Sequence, residues 1–376
     1  LVVALLVIMA KMLDRAEIGD RPAALIARFL SAFLLCSPVL YLAWSWSVGF
    51  FHFAIDLSVV AAACALIPKP GCPARARNVL IAMLCCAIAS TTRAEGLASW
   101  VIFAPSLFAY TKPSPQRIPW RLLWLSGFLL CTLLFVYSFA FLGKASSMPM
   151  PSADSMLDNF LLSNLIALGM LGRPLGIGLE SLGPAGIPDP RLFMPFGVLL
   201  LTAFAWLSWS HFKAGFGAIR NVALAWVGVG SFALCFAGAT SLVRGSILDS
   251  NLFGGLWPSM YSATSLLLLV ATLQLAALRW PLTPNTSIGT FERRTMLGGA
   301  LAVALLLIAG YGSATGPALS ARERSLDSGD CWDLIPHLAE KNVCFLGLPP
   351  KSMLEKFERV GFRRVRNDVV KIDLVA

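Results

Sequence analysis

Residues 79–110 read VLIAMLCCAIASTTRAEGLASWVIFAPSLFAY: an apolar run from Val79 to Thr91, a polar turn Thr92-Arg93-Ala94-Glu95-Gly96, and a second apolar run from Gly96 to Tyr110. Each run is at or below the length that crosses a bilayer. A guanidinium and a carboxylate between two such runs are expensive in a hydrocarbon setting, so they face protein or a water-filled cavity and often serve function. The competing reading is a short polar turn between two membrane helices, with Arg93 snorkelling to lipid headgroups.

The rest of the chain supports the membrane setting. Of its 376 residues 57% are apolar and only 13% charged, with a mean hydropathy of +0.74. That is too hydrophobic for a water-soluble globule. The formal charge of +10 does not mark a nucleic-acid binder, because the basic residues are scattered over short loops rather than gathered in one groove. Further apolar runs fall at Ala23 to Ala43, Val48 to Ile67, Leu122 to Leu142, Leu192 to His211, Val222 to Leu242, Trp257 to Leu278 and Met296 to Ala314. The chain opens inside another, Leu1 to Met9, which reads as the second half of a membrane helix whose first part is missing. The expected fold is therefore an all-α polytopic membrane protein of about ten spanning helices, the first one truncated.

Lys and Arg set the expected orientation. Alternate loops carry Lys11, Arg15 and Arg21; Lys69, Arg75 and Arg77; Lys112, Arg117 and Arg121; Lys213 and Arg220; and Arg279, Arg293 and Arg294, while the intervening loops are poor in them. The basic set belongs on the cytoplasmic side. Arg93, Glu95, the long segment Gly143 to Arg191, Arg244, Asp249 and the C-terminal tail then lie outside. Residues 144–191 are mostly apolar but broken by prolines and glycines. The spacing predicts a helix from Met156 to Leu171, with Ser155 or Asp154 as its N-cap, lying in the outer interface or dipping back to roof a cavity. Residues 1–314 form the expected membrane domain and residues 315–376 a small helix-strand-helix-strand module. Seven cysteines (Cys36, Cys64, Cys72, Cys85, Cys86, Cys131, Cys235) read as small core residues. Cys331 and Cys344, in the tail, would suit a disulfide if that side is oxidising.

Chemistry-bearing residues are few. His211 ends a helix at the cytoplasmic face and His337 lies in the tail, which leaves His52 near the outer face with Asp56 four residues on, on the same side of one helix. An acid this deep in a membrane helix needs a partner, and His52, Arg93 or a bound cation would serve. No Ser-His-Asp order, zinc motif, phosphate loop or dinucleotide fingerprint is present.

The layout resembles the GT-C class of integral-membrane glycosyltransferases, which includes protein mannosyltransferases and lipid A aminoarabinose transferases. Ser37-Pro38-Val39-Leu40-Tyr41 is similar to the Ser-Pro end of an outward helix in that class, Thr92-Arg93-Ala94-Glu95-Gly96-Leu97 to its Thr-Lys/Arg-Pro-x-Gly turn, and Lys11 to Arg21 to the basic loop ahead of the Ser-Pro helix. The likeness covers roughly Leu1 to Tyr110, and the rest only as architecture. It implies an inverting transfer of a hexosyl or pentosyl unit from a polyprenyl-phosphate donor to a lipid, glycan or protein acceptor at the outer face of a bacterial inner membrane, with the tail outside and membrane lipids, not nucleic acid, as the other partners. Arg93 would bind the donor phosphate, with Arg244 and Arg173 behind it. The family's catalytic acid lies in a loop ahead of the first helix seen here; of the acids present, Glu95, Asp56, Asp154 and Asp158 stand nearest the expected cavity. A divalent cation is compatible with the class. The alternatives are a transporter or flippase of a lipid-linked or amphipathic substrate, and an O-antigen ligase or polymerase-like enzyme.

Overall fold

The structure, a computed structural model, describes residues 1–19, 21–36, 47–67, 76–110, 119–137, 160–176, 190–213, 218–248, 257–280 and 289–311. These are about 95% helical, with no strand among them. The chain divides into two units, Leu1–Thr315 and Gly316–Ala376. The second unit, with the expected small module, Cys331, Cys344 and His337, lies outside the described residues, as do Ser37, Pro38, Cys72, Asp154, Ser155 and Asp158.

In chain order the helices are α1 (Val2–Arg15), α2 (Pro22–Leu35), α3 (Ser47–Ala65), α4 (Ala76–Thr92), α5 (Ala98–Tyr110), α6 (Trp120–Tyr137), α7 (Phe160–Gly176), α8 (Pro190–Lys213), α9 (Ala218–Leu248), α10 (Trp257–Arg279) and α11 (Gly289–Tyr311). Every apolar run read from the sequence carries a helix. Their ends differ from the apolar limits where polar residues continue a helical turn: α1 runs on past Met9 to Arg15, and α4 begins at Ala76 rather than Val79. Proline opens α2 at its first position, where the missing N–H would be unbonded in any case.

Four of these helices, Trp120–Tyr137, Phe193–Lys213, Ala218–Leu242 and Gly289–Tyr311, are long and apolar enough to cross a membrane. The outer surface is apolar as well. Leu122, Leu129 and Leu133 of α6 and Phe291, Leu301 and Leu305 of α11 all stand exposed, a surface that water disfavours and lipid tails accept. Both the helices and this exterior suggest a membrane protein.

At the centre, α9 packs against α3, α5, α7, α8 and α10, burying Trp226, Val229, Phe232 and Phe236 along one stripe. Cys235 falls off that stripe and is exposed, as is Cys36, so these two are not core residues as expected; Cys64, Cys86 and Cys131 are buried. An apolar thiol on the outer face costs little where the surroundings are lipid. α7 packs against α8, α9 and α10, and its last residues, Leu171 to Gly176, are buried.

Glycine makes the α7 and α8 pairing close. A Cβ on Gly172 would stand 2.0 Å from the Phe193 carbonyl oxygen, and one on Gly197 2.1 Å from that of Leu168. In lipid, apolar burial gives little drive to helix association, so close backbone approach and interhelical polar contacts do much of the holding. Two such contacts fasten α10: Gln274 Nε2 donates to Ser31 Oγ of α2 at 3.0 Å, and the His211 Nε2 of α8 donates to the Leu275 carbonyl at 2.9 Å. Further polar contacts join α1 to α3, where Arg15 donates to the Cys64 carbonyl, α2 to α1, where Arg28 pairs with Asp14, and α10 to α11, where Arg279 pairs with Glu292 at 2.7 Å.

Gly197→Ala should therefore lower the melting midpoint of the detergent-solubilised protein, with a cost of about 1–3 kcal/mol for overpacking. Gly298→Ala, where an added Cβ meets nothing within 4 Å, is the control and should melt at or slightly above the parent. Equal melting of both variants would argue against the close α7–α8 approach.

Candidate functional site

The Arg93 turn is built by the residues around it. Thr91 and Thr92 return their hydroxyls to the carbonyls of Ala87 and Ile88, which satisfies them without water at the end of α4. Arg93 leaves the helix in extended conformation, with φ −156° and ψ 153°, while its N–H still bonds the Ala89 carbonyl at 3.2 Å. Ala94–Leu97 then form one 3₁₀ turn, closed by Gly96 N–H to the Arg93 carbonyl at 2.9 Å. Gly96 is required here, since a Cβ would fall 2.0 Å from the Ala89 carbonyl oxygen.

Tryptophans brace the turn from behind. The Trp100 indole donates to Ser90 Oγ at 3.0 Å and Ser90 donates to the Cys86 carbonyl at 2.8 Å, while Ser99 donates to the Gly96 carbonyl at 2.7 Å. Trp124 of α6 donates to the Trp100 carbonyl at 2.9 Å, with the two rings edge to face at 4.9 Å. Buried indoles are amphipathic and need a partner for the N–H; both find one, so the turn has a fixed base.

In front of that base, two distant stretches of chain, in α3 and α9, and the neighbouring Glu95 converge on Arg93. Its Nη1 donates to His52 Nε2 of α3 at 3.0 Å, and its Nη2 pairs with Glu95 Oε1 at 3.1 Å. Its guanidinium carbon lies 5.2 Å from the ring centroid of Phe236 of α9, against which His52 also packs edge to face at 5.9 Å. Thr240, one turn along α9, donates to the same Glu95 oxygen at 3.4 Å. Because arginine only donates, the His52 Nε2 must accept, which places the ring proton on Nδ1 and leaves the imidazole neutral. The set is then one cation, one anion and one neutral ring. The side chains of Arg93 and Glu95 are 17% and 16% exposed, so the pair opens onto the surface at one edge while His52 behind it is fully buried.

Asp56, one turn further along α3 than His52, is also fully buried, and neither of its carboxylate oxygens has a hydrogen-bond partner among the described residues. Thr264 of α10 is close enough to act on it but falls short of hydrogen-bond geometry. His52 therefore serves Arg93 in the contacts observed.

Of the residues singled out in the sequence, His52, Arg93 and Glu95 come together. Arg173 is 1% exposed, held within the α7 packing. Arg244 follows Thr240 by four residues on α9, hence on the same helix face one turn further on; its side chain lies outside the described residues. Phe236, Thr240 and Thr264 were not singled out. Their only sequence signal is the four-residue spacing of Phe236 and Thr240, which apolar helices show everywhere. Among the described residues no group of three His, Cys, Asp or Glu side chains is placed to hold a metal ion. The chain was compared with family models, curated proteins and solved structures, and none of them matches it.

A double-mutant cycle tests the cluster. With Arg93→Gln and Glu95→Gln, each single variant should be destabilised by leaving its partner charged and mostly buried. The coupling read from unfolding should be about 0.5–3 kcal/mol, and strictly additive effects would show that the pair is not formed.

Proposed function

We propose that this chain is a polytopic membrane glycosyltransferase, with about ten spanning helices, in which Arg93 binds the phosphate of a polyprenyl-phosphate-linked sugar. The observation that carries the reading is the convergence of α3, α9 and the turn after α4 on one guanidinium, at the end of α4 opposite Arg75 and Arg77. By the distribution of Lys and Arg that end faces outward, on the outer leaflet of an inner membrane.

Geometry makes the placement suitable for a lipid phosphate. α4 has 17 residues, about 25 Å of helix at ~1.5 Å per residue, against a ~30 Å hydrocarbon core. If the helix starts at the inner face, Arg93 sits a few ångströms inside the outer boundary, at the depth of a phosphate attached to a buried polyprenyl tail. A guanidinium has five N–H donors in a planar fork, which suits phosphate oxygens better than an ammonium does. The Phe236 face and the His52 edge orient that fork, and Glu95 keeps it charge-balanced in the absence of ligand. An arriving phosphate takes over this balance, and Glu95 is then released toward the acceptor, where a carboxylate can accept a proton from an attacking hydroxyl. Arg244 is the further cation assigned to the donor; Arg173, expected beside it, is 1% exposed within the α7 packing and is not counted among the groups an arriving phosphate meets.

The test uses the purified full chain, a short-chain polyprenyl phosphate and the uncharged polyprenol of the same length. The phosphate should bind at least about tenfold more tightly than the alcohol. Arg93→Ala should erase most of that difference, since a charge-assisted hydrogen bond contributes about 1.5–3 kcal/mol and about 1.4 kcal/mol is tenfold. Arg93→Lys should restore only part of it. Phosphate binding undiminished in a folded Arg93→Ala variant would remove Arg93 from the donor site.

A further inference from the structure

Asp56 poses a charge problem that the Arg93 cluster does not solve. A carboxylate at 0% exposure without hydrogen bonds would carry a desolvation penalty far beyond what a folded bundle tolerates, so a positive charge or a proton must accompany it. Among the described residues, burial and the Thr264 hydroxyl are the influences that act on it. Thr264 is itself fully buried, and its hydroxyl also lacks a hydrogen-bond partner among the described residues. Two helices thus present three oxygens with unmet bonding capacity to one another.

We propose that Asp56 and Thr264 form a site for one monovalent cation of sodium's size. Charge sets the valence, because a single carboxylate balances one positive charge, and a divalent ion would leave an uncompensated charge among apolar helices. A proton on Asp56 is the competing way to neutralise the carboxylate, and the dependence of stability on sodium separates the two. Calcium-sized ions, sodium among them, hold oxygens at about 2.3–2.6 Å, so such an ion joins two oxygens that lie beyond each other's reach. The site lies one helical turn from His52. The inference does not depend on what the outer cluster binds.

The experiment follows thermal unfolding of the purified full chain by tryptophan fluorescence, in sodium chloride and in choline chloride at matched ionic strength. A ligand that binds only the folded state raises its stability with the logarithm of concentration once above its dissociation constant. The melting midpoint should rise with sodium and not with choline, and magnesium or calcium should not replace sodium. Asp56→Asn should abolish the sodium dependence. Thr264→Val, which keeps the shape and removes the oxygen, should move it to about tenfold higher sodium. Identical midpoints in the two salts across the titration would overturn the site and assign the carboxylate a proton. So would a sodium dependence that persists unchanged in Thr264→Val, the variant that decides the matter should Asp56→Asn not fold.

Discussion

A guanidinium enclosed by apolar helices must be neutralised and hydrogen-bonded, and the architecture around Arg93 follows from that requirement. Glu95 supplies the counter-charge from two residues away, inside a 3₁₀ turn that only glycine at position 96 permits. His52 supplies an acceptor from α3, and Phe236 an electron-rich ring face from α9. Removing Glu95 leaves a mostly buried charge without its counter-charge, and removing His52 or Phe236 takes away an acceptor or a ring face that orients it. The relative placement of α3, α4 and α9 is therefore tied to one side chain, and Thr240, bonded to the same Glu95 oxygen, extends the tie another turn along α9.

The remaining helices are held by different means. Lipid tails are as apolar as leucine, so the leucines of α6 and α11 gain little by turning inward, and they stand exposed. Cohesion comes from close backbone approach where glycine allows it, as between Gly172 and Phe193, and from single interhelical hydrogen bonds such as Gln274 to Ser31 and His211 to Leu275. Trp100 combines both, donating to Ser90 while lying against Gly127, where a Cβ would meet its ring at 2.6 Å. The rigid base under the Arg93 turn is thus part of the same packing that joins α4, α5 and α6.

How far this was legible in the sequence depends on the range of the interaction. Helix positions follow from apolar run length, and the Arg93–Glu95 pair from two charges in one short turn. His52 was visible because a histidine in an apolar helix is rare. Phe236 and Thr240 were not visible: a phenylalanine and a threonine in α9 look like any others until tertiary packing brings them within reach of a residue more than a hundred positions away. Asp56 shows the same limit in reverse. Its four-residue spacing from His52 pointed to a pair, but no hydrogen bond joins the two, and His52 Nε2 meets Arg93. Cys235 misled because composition cannot distinguish a helix face packed on protein from one facing lipid.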